Sequence, residues 1–150
     1  MKFYITGSTR GLGEHLAARF NCIRIDRPFY DLATDIEEVC ESIEEGSTVI
    51  LNAYADGTQI EYVKRLMHSC RLVVCGSIAS TYFDPEMPKY SLRKHDLERF
   101  VVEQSVHNKL PMLYLKLTSS SYKDYNMIAN TIQFWLDNPN FTFAGYNVNE

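Results

Sequence analysis

The chain has 150 residues, 45% hydrophobic and 23% charged, and a formal net charge of -4. This size and mixture suit one globular domain around one core, taken here as residues 1-150. The acidic balance argues against nucleic acid as the main partner. No apolar run is long enough for a membrane span or a secretory leader, so no membrane partner is expected and the cytoplasm is the expected location.

Taken in order, Lys2-Phe3-Tyr4-Ile5-Thr6 reads as a first strand. Gly11 to Phe20 reads as a helix with Leu12, Leu16, Ala17 and Phe20 inward. Cys22 to Asp26 reads as a second strand, and Phe29 to Leu32 as a brief extended piece. Thr34, followed three residues later by Glu37, has the pattern of a capping box for a helix over Asp35 to Glu45, which Gly46 ends. Thr48 to Ala53 is a continuous apolar run, as in a strand buried on both faces. Gln59 to Ser69 reads as a helix and Leu72 to Gly76 as a strand. After a turn-rich loop, Asp84 to Pro88, the longest helix runs from Tyr90 to about His107. Met112 to Leu117 is a strand, Asn126 to Leu136 an amphipathic helix, and Phe141 to Ala144 a last short strand. Such alternation predicts an α/β fold: a doubly wound, mostly parallel sheet in three α/β/α layers, the Rossmann architecture.

The first strand runs into Thr6-Gly7-Ser8-Thr9-Arg10-Gly11-Leu12-Gly13, and a helix opens at once. Gly7 allows a sharp turn, Gly11 lets backbone approach a pyrophosphate, and Gly13 lets the helix pack close to the strand. The helix N-terminus then offers free N–H groups and the positive end of its dipole to phosphates. Farther on, Tyr90 and Lys94 stand four apart on a helix, so phenol and amine share one face. Ser77 precedes Tyr90 by thirteen residues, at the C-terminal end of a buried strand, which is the end where open α/β sheets bind ligands.

The spacing T-G-x-x-x-G-x-G, followed by Ser77, Tyr90 and Lys94, resembles the short-chain dehydrogenase/reductase family, and the resemblance covers nearly the whole chain in abbreviated form. It implies NAD(H) or NADP(H) as cofactor, held by the glycine loop, and hydride transfer to or from a small-molecule carbonyl or alcohol. It implies that Tyr90 is the general acid or base, that Lys94 assists the phenol and binds the nicotinamide ribose, and that Ser77 orients the substrate oxygen. A free phenol, with a pKa of about 10, needs a neighbouring ammonium to exchange protons efficiently near neutrality.

Asp26 closes the second strand, where a carboxylate accepts from a ribose 2′-hydroxyl and repels a 2′-phosphate. Arg10 and Arg27 pull the other way, since guanidinium suits phosphate. The cofactor form stays open, with a lean to NAD. Asp31-Leu32 resembles the family's adenine-contacting pair. Asn52-Ala53 resembles part of its N-N-A-G motif, with Leu51 in place of the first Asn and Tyr54 in place of the Gly. Thr118 is the candidate for the carboxamide. The family's relay Asn has no counterpart between Asn52 and Asn108; Gln59, Glu61, His68 or water directly would have to serve. Tyr82, Phe83, Met87, Tyr122 and Tyr125 are candidates for a substrate wall.

Cys22, Cys40, Cys70 and Cys75 fit no zinc spacing and read as reduced thiols, so no metal is expected. The histidines read as surface or helix residues. A non-catalytic sensor that keeps the cofactor pocket is the alternative function, and a homodimer through helix 90-107 is an expected assembly.

Overall fold

The computed structural model describes residues 1–118, 123–138 and 143–148. Its strands are β1 (Phe3–Thr6), β2 (Ile23–Arg24), β3 (Thr48–Leu51), β4 (Arg71–Ser77), β5 (Met112–Leu117) and β6 (Phe143–Val148). Its α-helices are α1 (Gly11–Arg19), α2 (Ile36–Ser42), α3 (Gln59–Leu66), α4 (Pro88–Asn108) and α5 (Tyr125–Asp137). The six strands form one sheet in the order β2-β1-β3-β4-β5-β6. All five pairings are parallel.

Strand alternation sorts the core into two layers. Tyr4, Val49, Leu51, Leu72, Val74 and Met112 face one side, where Val39 of α2, Tyr62 and Val63 of α3, and Leu97 and Val101 of α4 cover them. Ile5, Ile50, Val73, Leu113 and Leu115 face the other, under Leu12 and Leu16 of α1 and Ile128, Ile132 and Trp135 of α5. A sheet covered on both faces explains the apolar runs Val49–Leu51 in β3 and Met112–Leu115 in β5. The order reverses at β1, so β1 and β3 diverge at their C-terminal ends and leave a crevice there.

Several elements differ in extent from the sequence expectation. The second strand pairs only at Ile23 and Arg24, because Phe29 and Tyr30 N–H groups both bond Asp26 O and turn the chain away. The Phe29 to Leu32 piece is not extended; it belongs to two turns, the second closed by Thr34 and Asp35 N–H on Asp31 O. Helix α2 has Asp35 at its N-cap with no side-chain cap bond, so the Thr34–Glu37 capping box is not formed. It ends at Ser42 because Ile43 adopts extended backbone and buries itself. Helix α3 stops at Leu66, and β3 stops at Leu51. Helix α4 instead starts early, with Pro88 in its first turn, where proline's missing N–H costs nothing. Strand β6 runs two residues later at its start than expected and longer, over Phe143–Val148; residues 141 and 142 lie outside the described residues. No helix among the described residues is long and apolar enough to cross a membrane.

Candidate active site

The loop after β1 is built by backbone contact. Gly7 and Gly11 have φ of +73° and +58°, values that favour glycine. A Cβ on Gly13 would lie 1.7 Å from Gly7 O, so only glycine lets α1 approach this closely. Asn52 Nδ2 donates to Gly7 O at 2.9 Å, and Ala53 N donates to Thr6 Oγ1 at 3.2 Å, tying the loop to the end of β3. Ser8 is fully buried, and its N–H and Oγ–H both donate to Asp26 Oδ2, at 2.7 and 2.6 Å. Arg24 Nη1 donates to Ser8 O at 3.0 Å. Two strand ends and a loop are thereby held in one frame.

Beside this frame lies a cavity of about 320 Å³. Of the expected cofactor residues, Gly7, Thr9, Asp26, Arg27, Asp31, Leu32 and Ala53 line it. Asp31 spends Oδ1 on Ala33 N at 3.0 Å, which fixes its own turn. Arg10 is exposed and lines neither this cavity nor the next. Ser8, Gly11, Leu12 and Gly13 line neither as well. The Leu12 side chain is in the core, so only its backbone can face a ligand. Tyr30, Ala33, Ala55 and Asp56 also line the cavity and were not among the expected residues.

A second cavity, about 560 Å³, opens at the C-terminal ends of β3, β4 and β5. Ser77, Tyr90 and Lys94 all line it, together with Asn52, Tyr54 and Thr118. The two cavities lie on either side of Asn52–Ala55, whose residues alternate: Asn52 and Tyr54 line the larger one, Ala53 and Ala55 the smaller. Ala55, Asp56 and Gly57 then follow one another at φ of 47°, 54° and 84°. Left-handed Ala and Asp cost on the order of 1 kcal/mol each, and the tight turn they make brings the start of α3 against the ends of β3 and β4.

Lys94 is 4% exposed. Its Nζ donates to Gln59 Oε1 at 2.8 Å and to Cys75 O at 3.0 Å. It also lies 5.7 Å from the Tyr90 ring centre and 5.9 Å from that of Tyr54. Burial pushes the ammonium down from 10.5 to about 8, with the Cys75 thiol acting in the opposite sense. The rings of Tyr54 and Tyr90 meet at 4.9 Å and 59°, so the tyrosine in the family's glycine position narrows the cleft beside the candidate acid. Ser77 Oγ accepts from Ala79 N at 3.1 Å, and Ser80 Oγ donates to Ser77 O at 2.8 Å; the turn after β4 thus fixes the hydroxyl's place. Gly76 is required just before it, because a Cβ there would meet the Tyr114 ring at 2.0 Å.

Among the relay candidates, Gln59 is buried against Lys94, whereas Glu61 and His68 are exposed. Of the wall candidates, Met87 lines the larger cavity, joined by Asp84, which sequence reasoning missed for want of any local pattern. Tyr82 and Phe83 are exposed and line neither cavity. Tyr125 packs on His15 at 5.5 Å, on the side of the sheet covered by α1 and α5, so it is not a wall residue. Tyr122 lies outside the described residues.

The arrangement fits a dinucleotide. Gly7, at a positive φ that favours glycine, lines the smaller cavity, and the Asp26 carboxylate lines it too with Oδ1 free of hydrogen bonds among the described residues. The phenol, hydroxyl and ammonium share the larger one.

No protein-family profile and no curated protein matches the sequence. Solved structures do match. A short-chain dehydrogenase/reductase from Vibrio parahaemolyticus superposes with a TM-score of 0.69 at 15% identity, covering 88% of this chain and 91% of that one. A carbonyl reductase from Pseudomonas aeruginosa PAO1, in complex with NADP, gives a TM-score of 0.61 at 15% identity, covering 99% and 98%. Identities this low speak to fold, and on fold they agree: the chain has the Rossmann-like α/β fold of short-chain dehydrogenase/reductase structures.

Proposed function

We propose that this protein is an NAD(P)-dependent oxidoreductase of the short-chain dehydrogenase/reductase type, acting on a small carbonyl or alcohol. The observation that carries the reading is the convergence of Ser77, Tyr90 and Lys94 on one cavity, across Asn52–Ala55 from the cavity beside the glycine loop. The cofactor, when bound, supplies or accepts the hydride. The glycine loop and the first N–H groups of α1 hold its pyrophosphate, Asp26 its adenosine ribose, and Lys94 and Thr118 its nicotinamide end. The Asp26 carboxylate, 8% exposed, favours a 2′-hydroxyl over a 2′-phosphate, so NAD(H) is the preferred form.

Tyr90 donates its phenolic proton to the substrate oxygen in reduction and withdraws it in oxidation. The Lys94 ammonium, near the face of that ring, stabilises the phenolate left behind. Ser77 offers its hydroxyl to the same substrate oxygen as a prepositioned donor. Tyr90→Phe keeps the ring against Tyr54 and removes only the proton. Turnover of reduced nicotinamide against a carbonyl panel should fall about 10²- to 10⁴-fold in that variant. Equal rates in wild type and variant would refute the acid role. Cofactor binding with no turnover at all would instead identify a sensor, the reading that Tyr54's narrowing of the cleft favours.

A further inference from the structure

We propose that Gln59 is the positioning residue for Lys94, holding the ammonium beneath the catalytic phenol by a direct amide bond. The inference rests on the proposed function for its purpose, though not for its geometry.

Gln59 is 3% exposed at the first turn of α3. Its Nε2 donates to Leu51 O at 2.7 Å and to Cys75 O at 3.0 Å, so both amide hydrogens are spent on the ends of β3 and β4. That fixes the amide's orientation. A flipped amide would set Oε1 against two carbonyl oxygens and turn its N–H groups on the ammonium, losing every bond. Oε1 must therefore face Lys94, and it accepts from Nζ at 2.8 Å.

The amide itself makes the contact with Lys94 that a bridging water could otherwise make. The short turn through Ala55–Gly57 is what brings the start of α3 within reach. Asparagine, one methylene shorter, could not span from α3 to both strand ends and the amine.

The choice of a neutral amide also has a chemical consequence. The titratable groups facing the ammonium are the Cys75 thiol from β4, the Tyr54 phenol from the turn after β3 and the Tyr90 phenol from its own helix; Arg93 of the same helix shares a crevice with it, and Asp84 of the loop before α4 lines the same cavity. No carboxylate pairs with Lys94 among the described residues. Gln59 and Cys75 O accept two of the three N–H groups without cancelling the charge. The third N–H and the undiminished field stay available to the phenol side.

The test is the titration of Lys94 itself, followed by NMR in protein with ¹³C-labelled lysine, with Lys94→Arg identifying the signal. Gln59→Glu should raise the midpoint by about one unit or more, because a carboxylate then faces the ammonium. Gln59→Met, similar in volume but without an acceptor, should lower it. A merely structural glutamine would leave the midpoint unmoved, so the same value in all three proteins overturns the proposal, as does a shift in the opposite sense. If Gln59→Met does not fold, wild type against Gln59→Glu decides alone. The experiment needs no cofactor; failure of wild type to bind any nicotinamide cofactor would defeat the functional reading while leaving this result standing.

Discussion

The two halves of the crevice are built differently. On the adenosine side the frame is backbone and short bonds: Gly13 against Gly7 O, Asn52 on Gly7 O, Ser8 on Asp26. On the side of the larger cavity the groups are side chains projected from a helix, a strand end and a turn, and Lys94 is locked from two directions. The loop before α4 carries exposed Tyr82, Phe83 and Met87. On the proposed function, cofactor class is set by the packed half and substrate identity by the exposed loop.

Changes in the rigid half should be costly. Gly13→Val places a branched side chain where even a Cβ meets Gly7 O at 1.7 Å, and should cost about 3 kcal/mol with loss of cofactor binding, read by urea unfolding and titration. A mutant of wild-type stability would show that the frame is not rigid.

Lys94 offers the reverse case on the catalytic side. Its folded pKa of about 8 lies below the ordinary 10.5, so the folded state binds fewer protons than the unfolded state between those values, and stability rises with pH across that window. Below pH 8 the cost of burying the ammonium is fully present. Lys94→Met should thus be more stable than wild type at pH 7, by about 3 kcal/mol at most, with the gap closing toward pH 10.5 while turnover is lost. A gap independent of pH would show that the ammonium is not desolvated.

Two smaller effects sharpen the contrast. Asp26→Asn should lower the NAD-over-NADP preference about tenfold, roughly 1.4 kcal/mol, in the ratio of dissociation constants. An unchanged ratio would move the discrimination to Arg10 and Arg27. Ala55→Gly relieves a left-handed alanine and should stabilise by about 1 kcal/mol in thermal unfolding. No gain would mean that the turn is not strained.

The same division governs what could be read from the sequence. Gly7, Gly11 and Gly13 are legible because their spacing encodes backbone geometry. Ser77, Tyr90 and Lys94 are legible because their spacing resembles a known family's set, and the sheet puts all three on one cavity. Loop conformation is not periodic, so Asp84 and Met87 could not be separated from exposed Tyr82 and Phe83. Phe29 to Leu32 looks extended in sequence because its Phe and Tyr suit strands, yet bonds to Asp26 O and Asp31 O curl the chain there. Gln59 was one of several relay candidates. Only the tight turn at Ala55–Gly57, set by three positive φ values, selects it.

The central claim is that a nicotinamide dinucleotide lies across both cavities, and thermal unfolding with each of NAD, NADH, NADP and NADPH tests it most directly. A cofactor at about 100 times its Kd should add about 2.7 kcal/mol, raising Tm by roughly 5–10 °C, with the NAD pair ahead of the NADP pair. An unmoved Tm with all four would contradict the account.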